Sequence, residues 1–581
     1  MKLVHRLLLV GGVLVLLACA WLWWNRFQKA DMMAYVPVDT VVYMEANSLP
    51  EITRALTATD AWMALALPAG IRSDLGQLGW LSRLALWTGI GPAEAVVFSR
   101  AQVAVAVMSL TSADAGETLK VKPRYAVVVE THTSAGRARA AVESRLGDFA
   151  RRAYGEPRIE RRQVDGTEFL TWSSPSEERH IIAAIVESVA IIGNDEGAVR
   201  ACLAVRRGER QSLSGVAQIE EMRERVAGNG ALAFGYVSVK GTAQLLELGA
   251  AIYASQISAD PRLQSLAAVV LPQLSSKILG SAGWSARMTG GVIEDRYFIS
   301  VQDSVAARMR VPLSFTDSLT PRGSELLPAE IYSMSRYESA DPEAAWRGTI
   351  GAIISPLDTV GAFLLTNLSR NLLTPYGIDE PESFLRAVGP ELITARLDDT
   401  GASTVVIAEV RDEKALRAFV AKRLGARART EQVGDALMLI STDEERGAAS
   451  FVAGRLVMST TTASVRRCME ARARGQALSQ SDAFKKASRL ASMNGTANAL
   501  TYSDDRPSAR NFIVAIAGQR GASAKAFNAT EFERALSQVP YAVSATRLAD
   551  GGFERTTRSA FGQFGSLAIQ FAPETQTRPA R

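Results

Sequence analysis

The sequence predicts an α+β chain: an N-terminal transmembrane helix, then two tandem homologous α+β repeats, each with a mostly antiparallel, split β-α-β-like sheet and added helices. Three observations predict it. An uninterrupted apolar run reaches from Leu7 to Trp24. The stretch Ala190 to Leu203, which reads as a strand running into a helix, occurs again at Leu456 to Met469, with Val199, Arg200 and Cys202 answered by Val465, Arg466 and Cys468 at an offset of 266 residues. Arg139 to Gly147 also aligns without gaps to Arg417 to Gly425 at an offset of 278.

Length and composition set the bounds. The 581 residues suffice for two to four domains of roughly 100–200 residues each. With 47% hydrophobic and 22% charged residues the chain is of the ordinary globular class, so long disorder is not expected. A net charge of +5, spread over 65 basic and 60 acidic side chains, gathers no basic face, and no nucleic-acid partner is expected. Three cysteines, Cys19, Cys202 and Cys468, are too few for a disulfide scaffold.

The N-terminal run decides the expected compartment. Eighteen apolar residues make roughly 27 Å of helix, close to the hydrocarbon thickness of a bilayer. Leu7 and Leu14 lie within the span; Trp21, Trp23 and Trp24 fall where an interfacial aromatic belt belongs. Leu16-Leu17-Ala18-Cys19 resembles a lipobox, which makes lipidation of Cys19 the alternative. The spanning reading is preferred because apolar tryptophans and a leucine, rather than a polar tether, follow Cys19. Ordinary cleavage is the third alternative. The expected location is therefore the bacterial inner membrane, single-pass, with the bulk of the chain on the periplasmic side.

The elements follow in order: residues 1–30 as anchor, 31–301 as first repeat, 302–326 as linker, 327–571 as second repeat and 572–581 as polar tail. Val36 to Glu45 reads as a turn feeding a β-branched and aromatic strand, echoed weakly from Leu327 to Tyr332. Gly89-Ile90-Gly91 and its counterpart Gly377-Ile378-Asp379 read as helix C-caps and turns, not as phosphate cradles. Strands Tyr125 to Glu130 and Thr404 to Glu409 precede the two aligned helices. Hairpins follow from Val164 to Val186 and from Val433 to Val452. Gly290-Gly291 and Gly551-Gly552 mark late hairpin turns.

Two features invite a binding role. Asp148 to Gln163 carries Arg151, Arg152, Arg158, Arg161 and Arg162, which suit anionic headgroups or an acidic partner, although a solvated helix end and strand edge is the plainer reading. The apolar helices around Leu245, Leu263, Leu266, Val269 and Leu274 suit a groove for an acyl chain, although core packing explains the same spacing.

Catalytic constellations are scarce. His5 belongs to the anchor, and His132 and His180 lack metal-ligand spacing; no metal and no cofactor are expected. Asp398-Asp399, Asp443-Glu444-Glu445 and Asp504-Asp505 read as solvated loops. Cys202 and Cys468, on apolar helix faces, read as small buried hydrophobes.

The opening Pro37-x-Asp39-Thr40-x-x-Tyr43-x-Glu45, the apolar strand into Gly193-Asn194-Asp195-Glu196, and Ser212-Leu213-Ser214 together resemble the bacterial domain-of-unknown-function family 3352 of exported, single-span proteins. Glu330-Ile331 stand where that opening would place Asp-Thr in the second copy. The resemblance implies an exported, anchored protein and carries no activity or catalytic residues. The resulting expectation is a membrane-tethered, non-enzymatic interaction or scaffold protein whose partner is another envelope protein. Its alternative is binding of a lipid or other apolar small molecule between helices of the first repeat.

Overall fold

The computed structural model describes residues 29–71, 101–115, 118–176, 178–228, 230–256, 270, 272–310, 322–492, 497–519 and 527–570. Its centre is one sheet of twenty strands. The first ten are β1 (Val42–Ala46), β2 (Gln102–Ala115), β3 (Thr118–Glu130), β4 (Arg158–Val164), β5 (Thr167–Ser173), β6 (His180–Val186), β7 (Val189–Gly193), β8 (Ala233–Val237), β9 (Leu279–Thr289) and β10 (Val292–Val301). The rest are β11 (Ser333–Glu338), β12 (Val388–Arg396), β13 (Thr404–Val410), β14 (Arg429–Val433), β15 (Ala436–Ile440), β16 (Ala448–Val452), β17 (Arg455–Ser459), β18 (Ala499–Ser503), β19 (Ala542–Ala549) and β20 (Gly552–Ser559).

Local chemistry explains how the strands and helices begin and end. β6 and β7 are continuous apolar runs because both sheet faces are covered there, with Ala183, Ala184, Val189, Ala190 and Ile191 all buried. The Gly290-Gly291 turn has φ of 53° and 80°, the double left-handed geometry that matches the twist of a tight β9–β10 hairpin. Asp195 caps the helix Glu196–Arg206 by accepting the Ala198 N–H at 2.9 Å, and Asp412 caps Glu413–Leu424 through the Ala415 N–H at 3.0 Å. Gly377, at φ 82°, ends the short 3-10 turn Thr374–Tyr376. Its expected counterpart, Gly89-Ile90-Gly91, lies outside the described residues.

Every pairing is antiparallel, and together they read β4-β5-β6-β7-β3-β2-β1-β8-β9-β10-β20-β19-β18-β11-β12-β13-β17-β16-β15-β14. This corrects the predicted fold class. The described residues do not form two tandem split β-α-β-like repeats each with its own sheet; β10 lies against β20 from Ile293/Ser559 to Ser300/Gly552, and one sheet runs through both halves. The two halves have corresponding strand orders, yet they do not close on themselves. Left apart, β10 and β20 would each present an unpaired row of backbone N–H and C=O groups, and their pairing satisfies both. Gly552 permits the approach, since a Cβ there would stand 2.2 Å from the Ile299 carbonyl oxygen.

The transmembrane and signal-anchor expectation is corrected to what the described residues support. Among the described residues no helix is long and apolar enough to cross a membrane. Leu7, Leu14, Cys19, Trp21, Trp23 and Trp24 lie outside them, as does the tail 572–581.

Helices cover both faces. On the face of Phe298, helices Glu196–Arg206 and Ala217–Val226 bury Val199, Cys202 and Met222 in the first half. Thr462–Ala473 and Asp482–Ser492 bury Val465, Cys468 and Phe484 in the second. On the opposite face, where β10 meets β20, Ile52, Trp62 and Leu65 from the first half meet Phe512, Phe532 and Phe561 from the second around Ala286 and Ile293. That shared core ties the halves together.

Candidate functional site

Three groups whose proton affinity is strongly raised, Asp295, Asp505 and Tyr297, gather where β10 meets β20. Because strand side chains alternate between faces, consecutive residues of β10 serve opposite sides: Glu294 goes to one, Asp295 and Tyr297 to the other. Asp295 is 1% exposed. Its Oδ1 accepts the Trp284 Nε1–H at 2.9 Å, and its Oδ2 accepts the Gln563 backbone N–H at 3.0 Å. Burial pushes its carboxyl up to about 6, aided by the charge of Glu294 and opposed by those two N–H donors.

Asp505 faces the same space from the start of the helix Arg506–Gln519. Its Oδ2 accepts the Ala560 N–H at 2.6 Å. Burial pushes it to about 7 against that hydrogen bond, with the charges of Asp504 and Asp295 adding to the rise. Burial also raises the Tyr297 hydroxyl well above its ordinary value, and the charge of Asp295 raises it further.

These groups line a cavity of about 570 Å³ between the sheet and the helices Arg506–Gln519 and Gly562–Gln570. Thr546, Arg555 and Phe553 complete its floor, and Ser508, Gln563 and Ser566 its roof. The Arg555 guanidinium is held by the Ser544 hydroxyl at 3.0 Å. Beyond Tyr297, Ile299 and Gln563, which border both spaces, a second hollow of about 320 Å³ continues over β1, β8 and β9. Its walls include Val42, Met44, Val237, Ala282, Trp284 and Leu567. One end of the combined groove is therefore rich in carboxyls, and the other is apolar.

The residues singled out from the sequence lie elsewhere. Arg151 ends the helix Ala135–Tyr154 and pairs with Asp148; Arg152 beside it is exposed. Arg158, Arg161 and Arg162 belong to β4, an edge of the sheet. Arg161 pairs with Glu143 at 3.1 Å and Arg162 with Glu196 at 2.5 Å. A charged edge strand resists pairing with another chain, which accounts for this segment without a ligand. The His132 ring meets the Gln102 amide oxygen at 2.9 Å, and His180 opens β6 opposite Ser173. Asp398 caps the turn to Gly401, and Asp443 caps Glu445 and pairs with Arg446. Leu263, Leu266 and Val269 of the expected acyl groove lie outside the described residues. Among the described residues no group of three or more His, Cys, Asp or Glu side chains is placed to hold a metal ion.

Asp504-Asp505 reads as a solvated pair in the sequence, and half of that is corrected. Asp504 pairs with Arg506 at 2.7 Å, whereas Asp505 turns inward. Asp295 carried one legible signal, a Glu-Asp pair inside a strand that is otherwise apolar except for Arg296 and Ser300. No protein-family model, curated protein or solved structure matches this chain.

Proposed function

We propose that the protein is a non-enzymatic binding module whose ligand is a small amphiphile with a cationic head, seated in the groove over the β10–β20 junction. The observation that carries this reading is the continuity of the two hollows through Tyr297, Ile299 and Gln563. An ammonium group between Asp295 and Asp505 would favour the ionised form of both carboxyls, whose burial otherwise disfavours it. A hydrocarbon tail over Val42, Ala282 and Leu567 would add about 0.8 kcal/mol per buried methylene.

The test is native mass spectrometry of the full-length chain with dodecylamine and with dodecanoate. The expected result is one dodecylamine per chain, held at least tenfold more tightly than dodecanoate and lost in Ala282→Phe, which fills the apolar hollow. A bare polypeptide in every spectrum, or equal retention of the two probes, would refute the reading.

A further inference from the structure

The other face of the same junction is built with the opposite sign. Glu294, fully buried, takes three guanidiniums: Arg287 and Arg296 on Oε1, each at 2.8 Å, and Arg558 on Oε2 at 2.6 Å. Burial pushes its carboxyl up, but the hydrogen bonds from Arg296 and Arg558 and the charges of Arg558 and Arg287 outweigh that and hold it below the usual range. One carboxylate thus stands against three permanent cations.

Arg296 and Arg558 also line a cavity of about 150 Å³ on this face, together with Arg225, Arg547, Glu554 and Thr556. Arg547 is paired with Glu554. Arg225, from the last turn of Ala217–Val226, stacks its guanidinium 4.0 Å above the Phe298 ring. Among the described residues no carboxylate pairs with it. Arg558 donates to the Leu490 carbonyl at 2.6 Å, which links the cavity wall to the helix Asp482–Ser492 of the second half, while Arg225 comes from a helix of the first. Of its five lining arginines, Arg225, Arg296, Arg547 and Arg558 belong to this face and Arg555 bonds Ser544 on the other; Glu554 is the lining carboxylate, and Glu294 lies behind Arg296 and Arg558.

We infer that this cavity is a binding site for a phosphate-type oxyanion, with Arg225, Arg296 and Arg547 as its charged donors and Thr556 as its neutral one. Guanidinium forks match the oxygens of a tetrahedral anion, and an anion offsets the positive excess of this lining. A space of this size holds several waters, which is room for a phosphate group. The group comes either as free phosphate or as the head of an anionic phospholipid.

Two arms on the full-length chain separate these sources. In the first, inorganic phosphate is titrated at ionic strength held constant with sodium chloride, and thermal unfolding is followed. The expected result is a saturable rise in unfolding temperature, weakened at least tenfold in apparent affinity by Arg225→Gln with Arg547→Gln. Glu554→Gln, which removes a lining negative charge, tightens binding. In the second arm, the chain is sedimented with phosphatidylglycerol vesicles; retention that the double substitution abolishes assigns the group to a lipid. If neither probe binds, or if both bind the double variant as they do the unaltered chain, the inference is overturned. The opposite response of Glu554→Gln separates a lost site from a damaged fold.

Discussion

Replacing Asp505 by Asn tests the burial of the groove's carboxyl end. The amide oxygen can keep the Ala560 N–H, so what changes is the charge. The native carboxyl gives up its proton at about 7 rather than the usual 3.8, roughly three units higher. At 1.36 kcal/mol per unit that is at most roughly 4 kcal/mol, an upper bound because Asp505 keeps partial contact with the cavity. Between these two values the native chain holds a proton that the unfolded chain has lost. Stability from this group is therefore complete below about pH 4 and declines as pH rises towards 7. Asn titrates nothing. The stability of Asp505→Asn minus that of the unaltered chain should climb by up to about 1.4 kcal/mol per pH unit from pH 4 to 7, then level off. With an unfolding entropy of ~2.1 cal/mol/K per residue over 581 residues, the plateau corresponds to about 3 °C in unfolding temperature. Thermal unfolding by intrinsic fluorescence at half-unit steps from pH 4 to 8.5 measures the difference. A difference that ignores pH, or shrinks as pH rises, refutes the reasoning.

Glu294→Ala strands Arg287, Arg296 and Arg558 around a missing charge and should cost about 3–5 kcal/mol, read as a lower urea midpoint. Because its native proton affinity is depressed, Glu294 contributes stability above the unfolded carboxyl range that is lost on acidification; the deficit of Glu294→Ala should narrow towards acid pH. Gly552→Ala drives a methyl against the Ile299 carbonyl and should cost about 1–3 kcal/mol, with faster amide exchange along β10 and β20. Cys202 and Cys468 are fully buried in different cores, and burial lifts both thiols to about 12. Both should resist a water-soluble disulfide reagent in the native chain and react on denaturation; rapid native labelling of either would contradict that burial.

Local structure was legible where local chemistry decides it. Asp195 announced a helix cap, Gly290-Gly291 a hairpin turn, and Arg139 to Gly147 the middle of the helix Ala135–Tyr154. The basic segment after Asp148 divides between the end of that helix and an edge strand, the plainer of its two readings. What the sequence did not disclose is which strand lies beside which. Periodicity reports that a face of β10 is buried, not that residues about 260 positions later supply its neighbour. The recurrence of Val199 at Val465 therefore suggested two tandem repeats, each with its own sheet, where the backbone forms one sheet. Asp505 was hidden for a related reason: its burial comes from Ala560 and the helix after it, remote in sequence, while adjacent Asp504 and Arg506 look like any surface ion pair.

The β10–β20 junction forms one groove with a carboxyl end and an apolar end. Photoaffinity labelling of the full-length chain with a diazirine-bearing alkylamine, followed by peptide mapping, tests it most directly. The groove predicts saturable labelling concentrated on the segments around Trp284, Tyr297 and Leu567, competed by dodecylamine and weakened by Asp295→Asn. Labelling spread over unrelated surfaces, or unaffected by the competitor, would contradict it.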